Sequence, residues 1–383
     1  MKRYIVLVVI LYSIIAKGQV KNNYEVVDKQ ISKIEASSTK STKDIANYIK
    51  DNFKTDDDKI RAVYYWTAST ISYDVENMFA VNFNESKEDK INKTLISKKG
   101  VCVNYAEVFN DIANKVGIES VVVEGYTKQN GFTDYISHAW CGAKIEGKWY
   151  AFDPTWGSGF IVKGKFVKKI NNYYFKTDPS KIITSHMPFD YLWQFLDYPI
   201  TNEAFYKGNF AVNKSKVKID YVREIEKYNS LSEIEKLISS ADRMEKNGVK
   251  NAMIFDRLAY KRSEVEVLKV NRIVSLFNEG VSELNTFIIF RNNQFKPKVS
   301  DDEIRKMITS PKDKLVKSKE LIDSIGVISK NNQANVTSLL NGINQTLTQS
   351  EEHFLFVEKY LSKSKLARKT MFTKVSWFGV PIN

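Results

Sequence analysis

The sequence predicts an α+β core followed by a mostly helical domain, on three observations. Apolar residues recur at helical spacing between about 41 and 116. β-Branched residues concentrate between about 118 and 126, and nearly every stretch beyond about 215 is helix-periodic. Ser41-Thr42-Lys43-Asp44 has the form of a helix N-cap, with Ile45, Tyr48 and Ile49 following on one face. Asp56-Asp57-Asp58 opens a second helix, acidic residues in a first turn suiting the helix dipole. Residues 84–99 are polar and Lys-rich and are expected to form a loop. A third helix runs from the Cys102 region through Tyr105, Phe109, Ile112, Ala113 and Val116 to a stop at Gly117. Ile118–Tyr126 is a strand and Lys128–Asp134 a polar turn. Tyr135–Ile145 and Lys148–Phe152 form a hairpin across Glu146-Gly147. In the second domain Ser230–Glu233 is expected to be a capping box, and Asn251–Phe295 is one long periodic run. Asn331–Phe372 supplies one or two helices, with Pro297 and Pro311 punctuating between these runs.

Composition excludes several classes. With 43% hydrophobic and 27% charged residues in 383, the chain is not collagen-like, wholly disordered or a multi-span membrane protein. Two cysteines exclude a disulfide framework and a Cys-rich metal site, and three histidines cannot build a zinc centre unless carboxylates complete it. Met1-Lys2-Arg3 followed by the apolar run Tyr4–Ala16 predicts an export signal over residues 1–18, with Gln19 as the new N-terminus. Thirteen apolar residues fall short of the roughly 20 that an uncleaved anchor needs. The mature chain is expected to be periplasmic or secreted, without stable membrane insertion. It divides near residue 208 into a core over 19–208 and a helical domain over 209–383.

Charge is uneven: 19–208 carries 25 basic and 24 acidic residues, whereas 209–383 carries 30 and 21. The basic half allows contact with an anionic cell-envelope polymer, but its signs interleave as they do on a solvated helical surface, and an exported chain rarely meets nucleic acid.

One constellation carries chemistry. Cys102 follows Gly100 and opens a helix, where backbone N–H groups and the dipole favour a thiolate. His138 lies in a strand and Asp153 ends the next one. With Glu146-Gly147 as a two-residue turn, His138 faces Thr155 and Trp140 faces Asp153. Asp153 is then the same-face diagonal neighbour of His138, about 7–8 Å away between Cα atoms. A three-residue turn would put Asp153 on the wrong face. In the expected register the carboxylate holds one imidazole nitrogen and frees the other for Cys102. Cys141, three positions from His138, points to the opposite face. The rival expectation is a Cys102–Cys141 disulfide, which would remove the nucleophile.

GVCVNYAEVF (100–109), GIESVVVEGY (117–126), SHAW (137–140) and GKWYAFDPTWG (147–157) together resemble the transglutaminase-like superfamily of papain-type thiol enzymes. RAVYYWTASTISYD (61–74) is similar to that family's lead-in helix and strand. YYFKTDP (173–179) and SHMPFDYLWQFL (185–196) are similar to the branch that includes kyphoscoliosis peptidase, here in an exported, bacterial-type setting. The resemblance covers roughly 45–208. It implies a nucleophile helix packed against an antiparallel sheet, with Cys102 as nucleophile, His138 as general base and Asp153 as orienting acid. Asn104 stands where many relatives have Gly, and Cys141 where many have Asn. The implied reaction opens a carboxamide through a thioester. Water completes it in a protease or amidase and an amine in a transglutaminase, with hydrolysis favoured because excluding water is an added demand. A protein or peptide substrate is implied, and no metal or organic cofactor. The alternative is an inactive papain-like fold serving as a protein or cell-wall binding module. His186 and His353 are expected to be structural and surface residues respectively. Tyr73, Asp74, Trp140, Trp149 and Trp156 are expected to form core or turns rather than a cleft.

Overall fold

The computed structural model describes residues 24–79, 85–215, 217–372, 374–375 and 381–382; the expected signal, 1–18, lies outside the described residues. Its contacts fall into two compact units divided after Tyr221. The division lies beyond the expected 208 because the extended stretch after it stays with the first unit. There Ile219 N–H donates to the Asp197 carbonyl at 2.8 Å, and Lys218 pairs with Asp197 at 3.1 Å.

The first unit opens with α1 (Glu25–Ile31), α2 (Thr42–Asn52) and α3 (Asp56–Thr70), then the short strand β1 (Ser72–Tyr73). The Ser41 and Thr55 side chains cap α2 and α3 by accepting the N–H of Asp44 and Asp58. The expected loop at 84–99 is instead largely helical: α4 (Lys87–Ser97) is capped by Ser86 and buries Ile91, Thr94 and Leu95. Its lysines conceal an apolar stripe only three residues wide, and tertiary burial rather than composition decides the outcome. Next come β2 (Lys99–Gly100), parallel to β1, and α5 (Cys102–Lys115), which stops where Gly117 takes φ +93°.

Strands β3 (Ser120–Gln129), β4 (Phe132–Ile145) and β5 (Lys148–Phe152) follow. The expected turn at Lys128–Asp134 is narrower in the structure. The ladder continues to Gln129 opposite Phe132, and Asn130 and Gly131 alone turn the chain at φ 50° and 84°. A separate hairpin, β6 (Gly159–Val162) with β7 (Lys165–Lys168), and the short helix α6 (Pro179–Ile182) lead to β8 (His186–Pro188); α7 (Asn202–Tyr206) closes the elements of this unit. The antiparallel sheet has the order β5-β4-β3-β8. Helix α5 buries Tyr105, Ala106, Phe109, Ile112 and Ala113 in one core with Ile60, Val63 and Tyr64 of α3 and Ala139, Cys141, Ala143 and Phe152 of the sheet. That single core fixes the first residue of α5 relative to β4 and β5.

Gly125 in β3 pairs with His138 on one side and Pro188 on the other. A Cβ there would stand 2.1 Å from the Met187 carbonyl oxygen and 2.7 Å from the Trp140 ring. Only hydrogen fits, so β8 and the Trp140 ring approach β3 closely. Gly125→Ala is expected to cost ~2 kcal/mol through overpacking. Urea unfolding measures this, and an unchanged midpoint would refute it.

The second unit is helical: α8 (Tyr221–Ser230), α9 (Glu233–Lys246), α10 (Ala252–Asn292), α11 (Asp301–Asp323), α12 (Lys330–Leu361) and α13 (Lys365–Thr370). The capping box expected at Ser230–Glu233 lies two residues on, where the Ser232 hydroxyl accepts the Glu235 N–H and the Glu235 carboxylate accepts the Ser232 N–H. Pro311 sits inside α11 rather than punctuating it; a proline there removes an intrahelical donor, and its ring is buried with Ile308 and Leu315. Leu284, Phe287, Ile304, Ile308, Leu315 and Val357 form the core of this unit. No helix among the described residues is long and apolar enough to cross a membrane.

Candidate active site

The hairpin joining β4 to β5 has the register expected for a two-residue turn: Ile145 faces Lys148 and Cys141 faces Phe152, with Glu146 and Gly147 at φ 50° and 80°. The ladder ends at Phe152 and Asp153 bends back. Its Oδ1 accepts the backbone N–H groups of Thr155 (2.8 Å) and Trp156 (3.1 Å), and its Oδ2 accepts His138 Nε2–H at 2.8 Å. Asp153 has no solvent exposure and His138 only 9%.

Cys102 is the first residue of α5, in the turn whose N–H groups have no carbonyl four residues back. The start of this helix is fixed by Asn104, whose Oδ1 accepts the Val101 N–H at 3.0 Å while its amide donates to the Thr94 hydroxyl at 3.0 Å. Asn104 thus ties α5 to α4. Gly100 lies against it, since a Cβ there would stand 2.5 Å from the Asn104 Cβ. The half-buried Cys102 side chain lies close enough to His138 for the two to interact electrostatically. With Nε2 on Asp153, Nδ1 is the imidazole nitrogen left for that contact.

The electrostatics follow from these contacts. Burial opposes charge on His138, but the Asp153 carboxylate, its hydrogen bond and then Cys102 outweigh it and raise the imidazole to about 10. Burial would likewise raise Asp153, yet His138 and then His186 hold it well below the usual carboxylate range. Tyr73, half-buried and packed on Phe166, is pushed up to about 12 by burial first and then by the charge of Cys102. Tyr73 is thus a packing residue near enough to Cys102 for the two to interact electrostatically. Asp74 accepts from the Asn77 side chain in a turn, as expected.

Both cysteines are free. Cys141 is fully buried and its S–H donates to the Ala106 carbonyl at 3.3 Å, on the core side of the sheet as strand alternation predicts. Burial first pushes its thiol well up. Trp140 and Trp149 are core residues, whereas the half-buried Trp156 lies 5.5 Å from the His138 ring between centroids.

His186 departs from its expected structural role. It is fully buried on β8, and its Nε2–H donates to the same Asp153 Oδ2 at 3.1 Å. The sequence signal was a second Ser-His pair, Ser185-His186 beside Ser137-His138; nothing local shows that the two imidazoles converge. His353 is half-buried against Phe287 and hydrogen-bonds Arg291, so it is not a simple surface residue.

Among the described residues His138, Asp153 and His186 are the one cluster whose ligand atoms, all within 4.8 Å of one another, suit a cation. Their distances are those of N–H···O bonds, and a cation would have to replace both. The arrangement suits proton transfer.

Residues 29–154 match the model of the transglutaminase-like superfamily. The chain is 29% identical over 200 residues to kyphoscoliosis peptidase of Mus musculus, covering 49% of this chain and 30% of that protein. It is 24% identical over 202 residues to hillarin of Drosophila melanogaster, covering 48% of this chain and 24% of that one. The chain thus spans less than a third of the length of these curated relatives. A solved structure described as a TGase is 21% identical, with a TM-score of 0.25, covering 43% of this chain and 40% of that one.

Proposed function

We propose, from the match of residues 29–154 to the transglutaminase-like superfamily, that this chain is an exported cysteine enzyme that hydrolyses peptide or side-chain amide bonds through a thioester. The observation that carries it is the half-buried Cys102 at a helix start, near an imidazole that a buried carboxylate holds at 2.8 Å.

The Cys102 thiolate attacks the carboxamide carbon. The developing oxyanion meets the Cys102 backbone N–H at the positive end of α5. The His138 imidazolium gives its Nδ1 proton to the departing nitrogen as the C–N bond breaks, leaving the thioester and a free amine. Water then attacks the thioester with neutral His138 taking its proton. The acid leaves, and that proton stays on His138, restoring the thiolate–imidazolium pair. An amine in place of water gives transamidation with the same residues. The partial exposure of Cys102 favours water as the acceptor. The helical unit, with its excess of basic residues, is assigned contact with an anionic envelope polymer.

Alkylation tests this. With iodoacetamide near neutral pH, Cys102 is expected to label at least ~100-fold faster than buried Cys141, and His138→Ala to slow it ~10-fold or more. Mass spectrometry of the labelled peptides reads both rates. Equal, slow labelling of the two cysteines would instead identify an inactive binding module.

A further inference from the structure

We propose that His186 is a positioning residue: backed by Ser185, it fixes the Asp153 carboxylate in the orientation that holds His138 toward Cys102. This role presupposes the thiol chemistry proposed above.

Asp153 is fully buried and accepts four hydrogen bonds. The two backbone N–H groups on Oδ1 pin that oxygen only. Oδ2, the oxygen that faces His138, keeps a swing about the pinned one unless a second donor holds it. His186 is that donor. It comes from β8, on the far side of β3 from His138, and the two imidazoles reach one oxygen across Gly125, which has no side chain to intervene. The His186 ring is itself held edge-on by Trp156 at 4.6 Å and Trp140 at 5.1 Å, with Tyr174 at 6.0 Å. The Ser185 hydroxyl lies 2.8 Å from Nδ1. With Nε2–H on the carboxylate, Nδ1 of a neutral ring is the acceptor for that hydroxyl, and Ser185 thereby selects the tautomer.

The charged and titratable groups facing His186 are Asp153, His138 and Asp134, with the Tyr174 ring beside it. Burial lowers His186, and the hydrogen bond and charge of Asp153 do not overcome it, so it stays neutral. Neutrality matters because a second cation beside Asp153 would repel the His138 imidazolium, whereas a neutral donor steadies the carboxylate without competing for its charge.

The test follows the rate of Cys102 alkylation by iodoacetamide against pH in the full chain. The variants are His186→Phe, which keeps a ring without the donor, His186→Gln, which restores a donor, and Ser185→Ala. In His186→Phe the rate at pH 6 is expected to fall ~10-fold, with the acid limb moved up by ~1 pH unit. His186→Gln is expected to stay within ~3-fold of the parent, and Ser185→Ala to shift the same way by a smaller ~2–3-fold. A folded His186→Phe with the parent's profile overturns the role. So does a uniform drop at every pH in both His186 variants, which is what lost packing alone produces. If His186→Phe does not fold, Ser185→Ala decides on the same criterion. Slow parental labelling that ignores His138→Ala overturns the thiol chemistry itself, and this role with it. Fast parental labelling with unshifted variants overturns only the role of His186.

Discussion

Cys102→Ser is expected to lower turnover of peptide amides by ~10³-fold or more while leaving the fold intact. A serine hydroxyl does not ionise beside an imidazole as a thiol does, so the nucleophile is lost although the oxygen fits the same place. The substitution has a second consequence. Cys102 is one of the groups that raise His138, so without it the His138 proton is held less tightly. The pH at which the folded protein loses this proton should move down in Cys102→Ser, as imidazole NMR titration would show. Activity within tenfold of the parent would remove Cys102 from the chemistry.

Asp153→Asn carries the largest combined effect. An amide keeps the shape and can still accept the Thr155 and Trp156 N–H groups, but it turns an –NH₂ toward two imidazoles that now donate to Oδ2. The expected loss is ~10³–10⁴-fold in turnover, from a misoriented and less basic His138. Removing one member of a buried ion pair also costs ~3 kcal/mol of stability.

The pH dependence has a definite sign. His138 is raised in the folded protein to about 10, against ~6.5 unfolded. Its contribution is fully present below ~6.5 and is lost as pH rises through about 10. Asp153 is depressed, so its contribution is present above ~3.9 and is lost as pH falls through its lowered folded value. The parent should melt at a high, flat temperature between these limits and fall off at alkaline pH. Asp153→Asn should flatten that alkaline decline. Thermal melts from pH 5 to 11 measure it, and parallel curves for the two proteins would contradict the assignment.

Much of the first unit was readable because its signals are local. Ser41 caps a helix where the sequence puts a capping residue, Asp56-Asp57-Asp58 opens another, and Glu146-Gly147 at positive φ fixes the hairpin register by itself. A register set by turn chemistry propagates residue by residue along β4 and β5, which is why the relation of His138 to Asp153 could be worked out without coordinates. Helix α4 was missed for the converse reason. Three buried side chains among lysines make a weak period, which the Ser86 cap and contact with α5 through Asn104 support.

The amino-acid order alone determined helices α2, α3 and α5 and strands β3 to β5, the β4–β5 register, and the placing of a cysteine at a helix start with a histidine in one strand and an aspartate at the end of the next. Only the tertiary structure decided that β8 returns beside β3, across a glycine, to bring His186 onto the carboxylate already bound by His138. The first set depends on interactions within a few residues of one another. The second depends on a pairing between strands some sixty residues apart, a long-range contact that no local pattern announces.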